Sequence, residues 1–442
     1  MRFRPVVIVA ALLAAGVAVP AFATGTLAEI ETAATGTERA EPITPIAEDV
    51  VTVYNSGPLK RDVADRALAA ARQAGASAAI GRAASIGMVA LRRGDVSIQT
   101  PPPGFAYPMG TTALPPELVG HTMGRDVSRH LGSTSLVMSS LTASLRGAEA
   151  GDTIDLTASS GAIVRFRIGA VVDDAVTGGT ELLMSLAAAD RLGIQRLSRV
   201  VMWGFDSRAA IDQAMADRGL VSTTIRLRRS WDPADPDSTI GMAATKSELG
   251  EFAYRVNANG SVSQSADWVA SSLPGGRVVL NPSIPSRARC HNEVEPAIRA
   301  ALDEVARTNP GNTISVSQAN TAGGCHVARF NRLTPDSSVG FLSRHSWGMA
   351  LDINTIGSCQ GCAPPDIDCT TVRIFRKHGF AWGGNFLTPD GMHFEWVGEP
   401  RHTLDYPSRF CPNVGPFESA LGVEQTERAT LFADDGLYSG DH

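Results

Sequence analysis

The chain has 442 residues, 43% of them hydrophobic and 19% charged, with a formal net charge of −6. That length exceeds one ordinary core and predicts two or three domains. The balance is globular and not disordered, and the absence of any lysine- or arginine-rich stripe excludes a nucleic-acid partner.

Arg2 and Arg4 precede an apolar run from Val6 to Val19, and Pro20 and the small-residue site Ala21-Phe22-Ala23 follow. This predicts a signal peptide over residues 1–23 and a secreted or cell-envelope protein. The alternative is an uncleaved membrane anchor, which gives the same compartment. No later stretch is long and apolar enough for a second membrane helix. Residues 24–50, rich in Ala, Thr, Glu and Pro without periodicity, predict a flexible linker.

Residues 51–231 alternate between strand and helix and predict a mixed α+β domain. A helix is expected from Leu59 to Ile80, and strands at Thr153–Leu156 and Ile163–Val172 joined across Ser159-Ser160-Gly161. A strand at Arg199–Trp203, a helix at Ser207–Arg218 and a strand at Thr223–Arg228 follow. His121 and His130, with Asp126 the one carboxylate near them in sequence, form no ligand motif and read as structural or solvated. The stretches Gly151–Leu156 and Ile163–Asp173 resemble the extracellular domain of lipoprotein-exporting and cell-division ABC-transporter permeases. Those permeases carry further membrane helices after this domain. The resemblance implies an interaction module whose partner would be a cell-envelope protein.

Asp232-Pro-Ala-Asp-Pro-Asp237 disfavours regular structure and marks a linker at 232–241. A second domain is expected over 242–417, with an acidic tail at 418–442. Asn292–Arg307 is an amphipathic helix with Val294, Ile298, Leu302 and Val305 on one face, stopped by Asn309-Pro310-Gly311. Thr370–His378 is another, with Gly379 as its C-cap. The six cysteines all fall between Cys290 and Cys411, which in an exported chain suggests disulfides. A structural zinc site built from Cys359, Cys362, Cys369 and Cys411 is the rival reading.

Two segments carry chemistry: Ser343-Arg-His345-Ser-Trp-Gly-Met-Ala-Leu-Asp352-Ile-Asn354, and Trp382-Gly-Gly followed by Asp390-Gly-Met-His393-Phe-Glu395-Trp396. In the first, Met349, Leu351 and Ile353 share one face of a strand and Asp352 lies on the other. In the second, Met392, Phe394 and Trp396 oppose His393 and Glu395. Gly348 lets the chain turn between His345 and the strand. His345, Asp352 and His393 make a three-ligand set for one catalytic zinc ion, with a fourth position open for water. Zinc would lower the pKa of that water to about 7, and a further carboxylate must move its proton. Asp390 is suited to that role, with Glu395 as a rival base or a partner behind the ligands.

The pattern S-x-H-x-x-G-x-A-x-D, then W-G-G and D-x-M-H-F-E, resembles the VanY-type D-alanyl-D-alanine carboxypeptidase and L-alanyl-D-glutamate peptidase family. That family shares the zinc fold of lysostaphin and the hedgehog signalling domain. The likeness runs from about Lys246 to Trp396 and takes in Cys290-His291 and Gly323-Gly-Cys325-His-Val-Ala-Arg329. It implies an α+β zinc fold with an antiparallel sheet and peptidoglycan stem peptides as substrate. His345, Asp352 and His393 would be ligands, Asp390 the base and Arg329 the group facing the developing oxyanion. Ser343 and Trp382 would line the substrate cleft with Glu395. A Cys290–Cys325 disulfide is also implied. The cysteine-rich insertion from Cys359 to Cys369 departs from the family pattern and would reshape one wall of the cleft, leaving its pairings with Cys411 open.

Two other readings compete. A non-catalytic zinc-containing wall-binding or protein-interaction module would need neither Asp390 nor Arg329. Alternatively the N-terminal domain carries the main function, with the peptidase as effector.

Overall fold

The computed structural model describes residues 49–308, 314–316, 324–332, 339–404 and 406–414. The expected signal peptide, nearly all of the tether, the Asn309-Pro310-Gly311 helix stop and the acidic tail lie outside these residues. No helix among the described residues is long and apolar enough to cross a membrane.

The N-terminal strands are β1 (Val50–Tyr54), β2 (Ser77–Arg93), β3 (Val96–Gln99), β4 (Tyr107–Ala113), β5 (Ser135–Ser139), β6 (Thr153–Thr157), β7 (Ile163–Val172), β8 (Leu182–Met184), β9 (Leu197–Trp203) and β10 (Arg226–Arg229). The long β2 joins two structures. Its first part pairs with β9, which continues to β1 and β10. Its later part pairs with β4 and with β6, and the order β2-β4-β8-β5-β7-β6 returns to β2 as a closed six-stranded barrel. The period-two pattern fills the interior with Ile86, Met88, Met109, Leu136, Met138, Ile154, Phe166, Ile168 and Leu182. Closure leaves no free edge on those six strands, which an open α+β reading does not anticipate.

The expected strands at 153–156 and 163–172 form and pair antiparallel. The expected helix from Leu59 to Ile80 is shorter, running Arg61–Gln73. Ala74 caps it, Gly75 turns the chain at φ +70°, and Ser77–Ile80 becomes strand paired with β9. Alanine-rich sequence reads as helix by propensity, but Ala64, Ala67, Ala70 and Ala71 pack against β1 and β9, and the following alanines serve the sheet.

The C-terminal part has two small hairpins, β11 (Tyr254–Val256) with β12 (Val262–Gln264) and β13 (Val278–Val279) with β14 (Arg287–Ala288). A three-stranded antiparallel sheet follows, ordered β15 (Ala350–Asp352), β17 (His393–Trp396), β16 (Phe380–Trp382). The helices Glu295–Thr308 and Cys369–Lys377 bury Ile298, Leu302, Val305, Val372 and Phe375 in the core that this sheet shares. Gly379, at φ +83°, follows the second helix as expected. The described cysteines are all paired, Cys290–Cys325, Cys359–Cys362 and Cys369–Cys411. That leaves no thiolate for the rival zinc site.

The Asp232–Asp237 segment carries neither helix nor strand, as its prolines predict, yet Asp235 and Asp237 are buried. The helix Met242–Leu249 then places Lys246 in a buried cluster. Its Nζ donates to Glu181 at 2.8 and 3.0 Å and to the Pro108 carbonyl, and pairs with Glu251 at 2.8 Å. Glu251 also meets Arg146. Two cations and two carboxylates thus balance where the barrel meets the C-terminal part.

Candidate metal centre

The sheet register builds the site. Asp352 on β15 lies directly opposite His393 on β17, and Ala350 and Ala381 flank Glu395 from either side. Leu351, Phe394, Phe380 and Trp382 point the other way into the core. Small neighbours on the polar face leave room for His393 and Glu395, while the aromatic face anchors the strands.

His345 comes from a 3-10 turn, Arg344–Trp347. Gly348 ends that turn at φ +66°, and a Cβ there would lie 2.9 Å from the His291 amide nitrogen. Glycine is thus required both by conformation and by space. His345 Nδ1 lies 3.0 Å from the Cys325 carbonyl, so it donates there and Nε2 is left as the ligand atom. The Cys290–Cys325 bridge ties that carbonyl to the start of the amphipathic helix.

His345, Asp352 and His393 are all buried, and one ligand atom from each lies within 4.8 Å of the others. His345 Nε2 is 3.4 Å and His393 Nδ1 3.6 Å from Asp352 Oδ1. A tetrahedral zinc with ligands at about 2.0–2.2 Å would hold them about 3.3–3.6 Å apart. Charge gives the same answer. Among the described residues, Asp352, Asp390 and Glu395 are buried carboxylates and Arg344 is a buried guanidinium paired with Glu395, a surplus of acidic groups that suits a divalent cation. Burial opposes a charge on His393, but hydrogen bonds to Asp352 and Glu395 and the field of Asp390 outweigh it and hold its pKa well above the usual imidazole value. The pocket is built for positive charge, and the residues fit a zinc ion.

Glu395 stands behind the ligands. Its Oε2 is 3.4 Å from His393 Nε2, and Oε1 is 3.1 Å from Arg344 Nε. Arg344 is fixed in turn by Thr245 Oγ1 at 2.6 Å and by the Ile240 carbonyl. Sequence reading assigned Arg344 no role; its place beside His345 in the motif was the available signal.

Asp390 is fully buried, and its carbonyl accepts from the His393 amide at 3.1 Å, the turn that sequence spacing required. The glycines after Trp382 make this turn fit. A Cβ on Gly383 would lie 2.6 Å from the Asp390 carbonyl oxygen and 3.1 Å from His393 Cβ, and one on Gly384 would collide with the Trp382 ring. The cysteine insertion abuts the same segment: Gln360 bridges Asp390, and the Gly361 amide donates to the Pro389 carbonyl at 2.6 Å.

Arg329 is half-buried on a segment running beside the His345 turn, where Val327 N donates to the His345 carbonyl at 3.0 Å and Ser343 N to the Arg329 carbonyl at 2.9 Å. Ser343 is buried, and its Oγ caps the turn by accepting from His345 N. The Trp382 indole is buried too and donates to the Gly391 carbonyl at 2.8 Å. Both side chains are committed to holding the site's shape. In the N-terminal region, His121 packs near Trp203, and burial and nearby arginines lower the pKa of His130, beside which Asp126 pairs with Arg129.

Residues 337–396 match a family model described as D-alanyl-D-alanine carboxypeptidase, a span that contains every proposed ligand and Asp390. That span is shorter than the Lys246–Trp396 stretch expected from the sequence motifs. No curated protein matches the chain. Among solved structures, the crystal structure of the periplasmic region of MacB from Actinobacillus actinomycetemcomitans is similar at 12% identity and a TM-score of 0.25, covering 40% of this chain and 87% of that one. A likeness that loose carries no argument about fold or partner.

Proposed function

We propose that this protein is an exported zinc-dependent metallopeptidase that hydrolyses an amide bond in peptidoglycan stem peptides, as a D-alanyl-D-alanine carboxypeptidase or a related peptidase. One observation carries the reading: two imidazoles and a carboxylate at zinc-compatible spacing, buried, with a further buried carboxylate one turn away. The family match over residues 337–396 supports the substrate class.

His345, Asp352 and His393 would hold the metal, which when bound supplies a Lewis acid and an acidified water. Asp390 would be the carboxylate that accepts a proton from that water and hands it to the departing amine. Arg329 faces the oxyanion with a fixed positive charge. Glu395 accepts from His393 Nε2 and so fixes that ring's tautomer and direction, with Arg344 holding Glu395. Ser343 and Trp382 shape the cleft from behind. The N-terminal residues 51–231 form the module that accompanies the peptidase in the envelope.

The test is mass-spectrometric digestion of purified peptidoglycan, with and without zinc, beside Asp390→Ala. Zinc-dependent release of D-alanine or a stem-peptide fragment, reduced by about 10²–10⁴-fold in the variant, is the expected result. Intact peptidoglycan with zinc bound at one ion per chain would sink the enzyme reading and favour a binding module.

A further inference from the structure

The linker after the N-terminal sheet is wired into the site. The Asp237 carboxylate is buried and accepts four hydrogen bonds: Arg376 Nε at 2.8 Å and the Trp382 amide at 3.0 Å on Oδ1, Arg376 Nη2 at 2.6 Å and Asn385 Nδ2 at 2.8 Å on Oδ2. Arg376 sits on the helix Cys369–Lys377, Trp382 ends β16, and Asn385 lies in the loop that leads to Asp390. Asp235 accepts from Arg226 Nη1 and from the Tyr406 hydroxyl, each at 3.0 Å.

Arg226 belongs to β10, at the end of the N-terminal sheet. Its Nη2 donates to the Asn385 carbonyl at 2.7 Å. Beyond β1, Ser56 Oγ lies 2.6 Å from Thr388 Oγ1, two residues before Asp390. The Gly383–Asp390 loop is therefore gripped by the linker, by Arg226 of the N-terminal sheet and by Ser56 just beyond β1, and it closes on itself through the Asp390 amide and the Gly383 carbonyl at 2.8 Å. The metal-binding residues lie outside this loop, on β15, β17 and the 3-10 turn.

We propose that the N-terminal module serves the reaction as a positioning device: Arg226 and Asp237, with Asp235 between them, fix the Gly383–Asp390 loop and so hold Asp390 in place against His393. The proposal rests on the reading of Asp390 as the base. A base displaced by about 1 Å can lose about 10²-fold in rate, whereas the ligand side chains are carried by β15, β17 and the 3-10 turn and touch this loop through the His393 amide on the Asp390 carbonyl. Loosening the grip should therefore lower kcat while sparing zinc binding and KM.

The experiment uses the full chain as wild type, Arg226→Ala, Arg226→Lys, Asp237→Asn and, as a control that pairs with Asp49 and stacks on Trp231 but bonds neither Asp235 nor Asp237, Arg208→Ala. Amide exchange read by mass spectrometry over residues 383–391 needs no activity, and turnover is measured alongside. Expected are faster exchange in that segment for Arg226→Ala and Asp237→Asn, kcat down at least about tenfold, KM within about twofold and zinc at one per chain. Arg226→Lys should recover part of the rate and Arg208→Ala should match wild type. Unchanged exchange at 383–391 overturns the proposal, as does faster exchange with unchanged kcat. If the wild type binds zinc but cuts nothing, the peptidase reading fails, and the positioning role in catalysis falls with it whatever the exchange shows. Should Arg226→Ala fail to fold, Ser56→Ala removes one contact on the same loop and must move exchange in the same direction.

Discussion

Glu395→Gln separates the roles open to that residue. The substitution keeps volume and removes one charge from a buried chain that runs Arg344, Glu395, His393. Arg344 Nε would lose its carboxylate at 3.1 Å while staying buried against Thr245 and Ile240. Breaking a buried pair from one side costs about 3–5 kcal/mol. His393 would lose the acceptor that orients it, and the loss of such a supporting partner typically weakens metal affinity about 10–100-fold, or about 1.4–2.7 kcal/mol. Zinc affinity by competition with a chromophoric chelator, together with guanidinium unfolding of the metal-free protein, reads both effects. A base at Glu395 would instead show as lost kcat with unchanged zinc affinity and unchanged stability. Zinc affinity within twofold of wild type, with the unfolding midpoint unmoved, would refute the supporting role and return Glu395 to candidacy as the base.

Gly383→Ala should lower activity at least about tenfold with zinc still bound, because the new Cβ pushes on the Asp390 carbonyl and on His393; normal turnover would refute that fit. Lys246→Met should destabilise the fold by about 3–5 kcal/mol in denaturant titration, since it takes the buried ammonium from Glu181 and leaves Glu251 with Arg146. His326, whose pKa burial and the neighbouring Arg289 depress to about 4, adds a pH dependence. The unfolded state takes up its proton first, so stability is full above the unfolded value near 6.5 and falls as pH drops towards 4. His326→Gln should therefore lose less stability than wild type between pH 7 and 5, by about 1 kcal/mol after allowing for partial exposure. Parallel Tm curves for the two proteins would rule this out.

The local chemistry was legible in the sequence. Alternation at 349–353 and 392–396 set which side chains share a face, and the strands, the facing Asp352 and His393, and the buried Leu351 and Phe394 follow that pattern. The amphipathic helix at 295–308 and the capped helix at 369–377 were likewise local, because a 3.6-residue period and a following glycine suffice to specify them. Periodicity reports what one segment buries, not which segment it meets. Hence the Leu59–Ile80 stretch read as one helix although its last residues pair with β9, and the two barrel strands legible at 153–156 and 163–172 gave no sign of a six-stranded closure. Ser343 and Trp382 read as cleft residues, while tertiary packing commits their polar atoms to the site's own backbone. Asp237 read only as part of a breaker. Its three partners lie between 139 and 148 residues away in sequence, and only the folded chain brings Arg376, Trp382 and Asn385 to one carboxylate. Hydrogen bonding at that range depends on where the chain returns, which a sequence leaves open and a packed core decides.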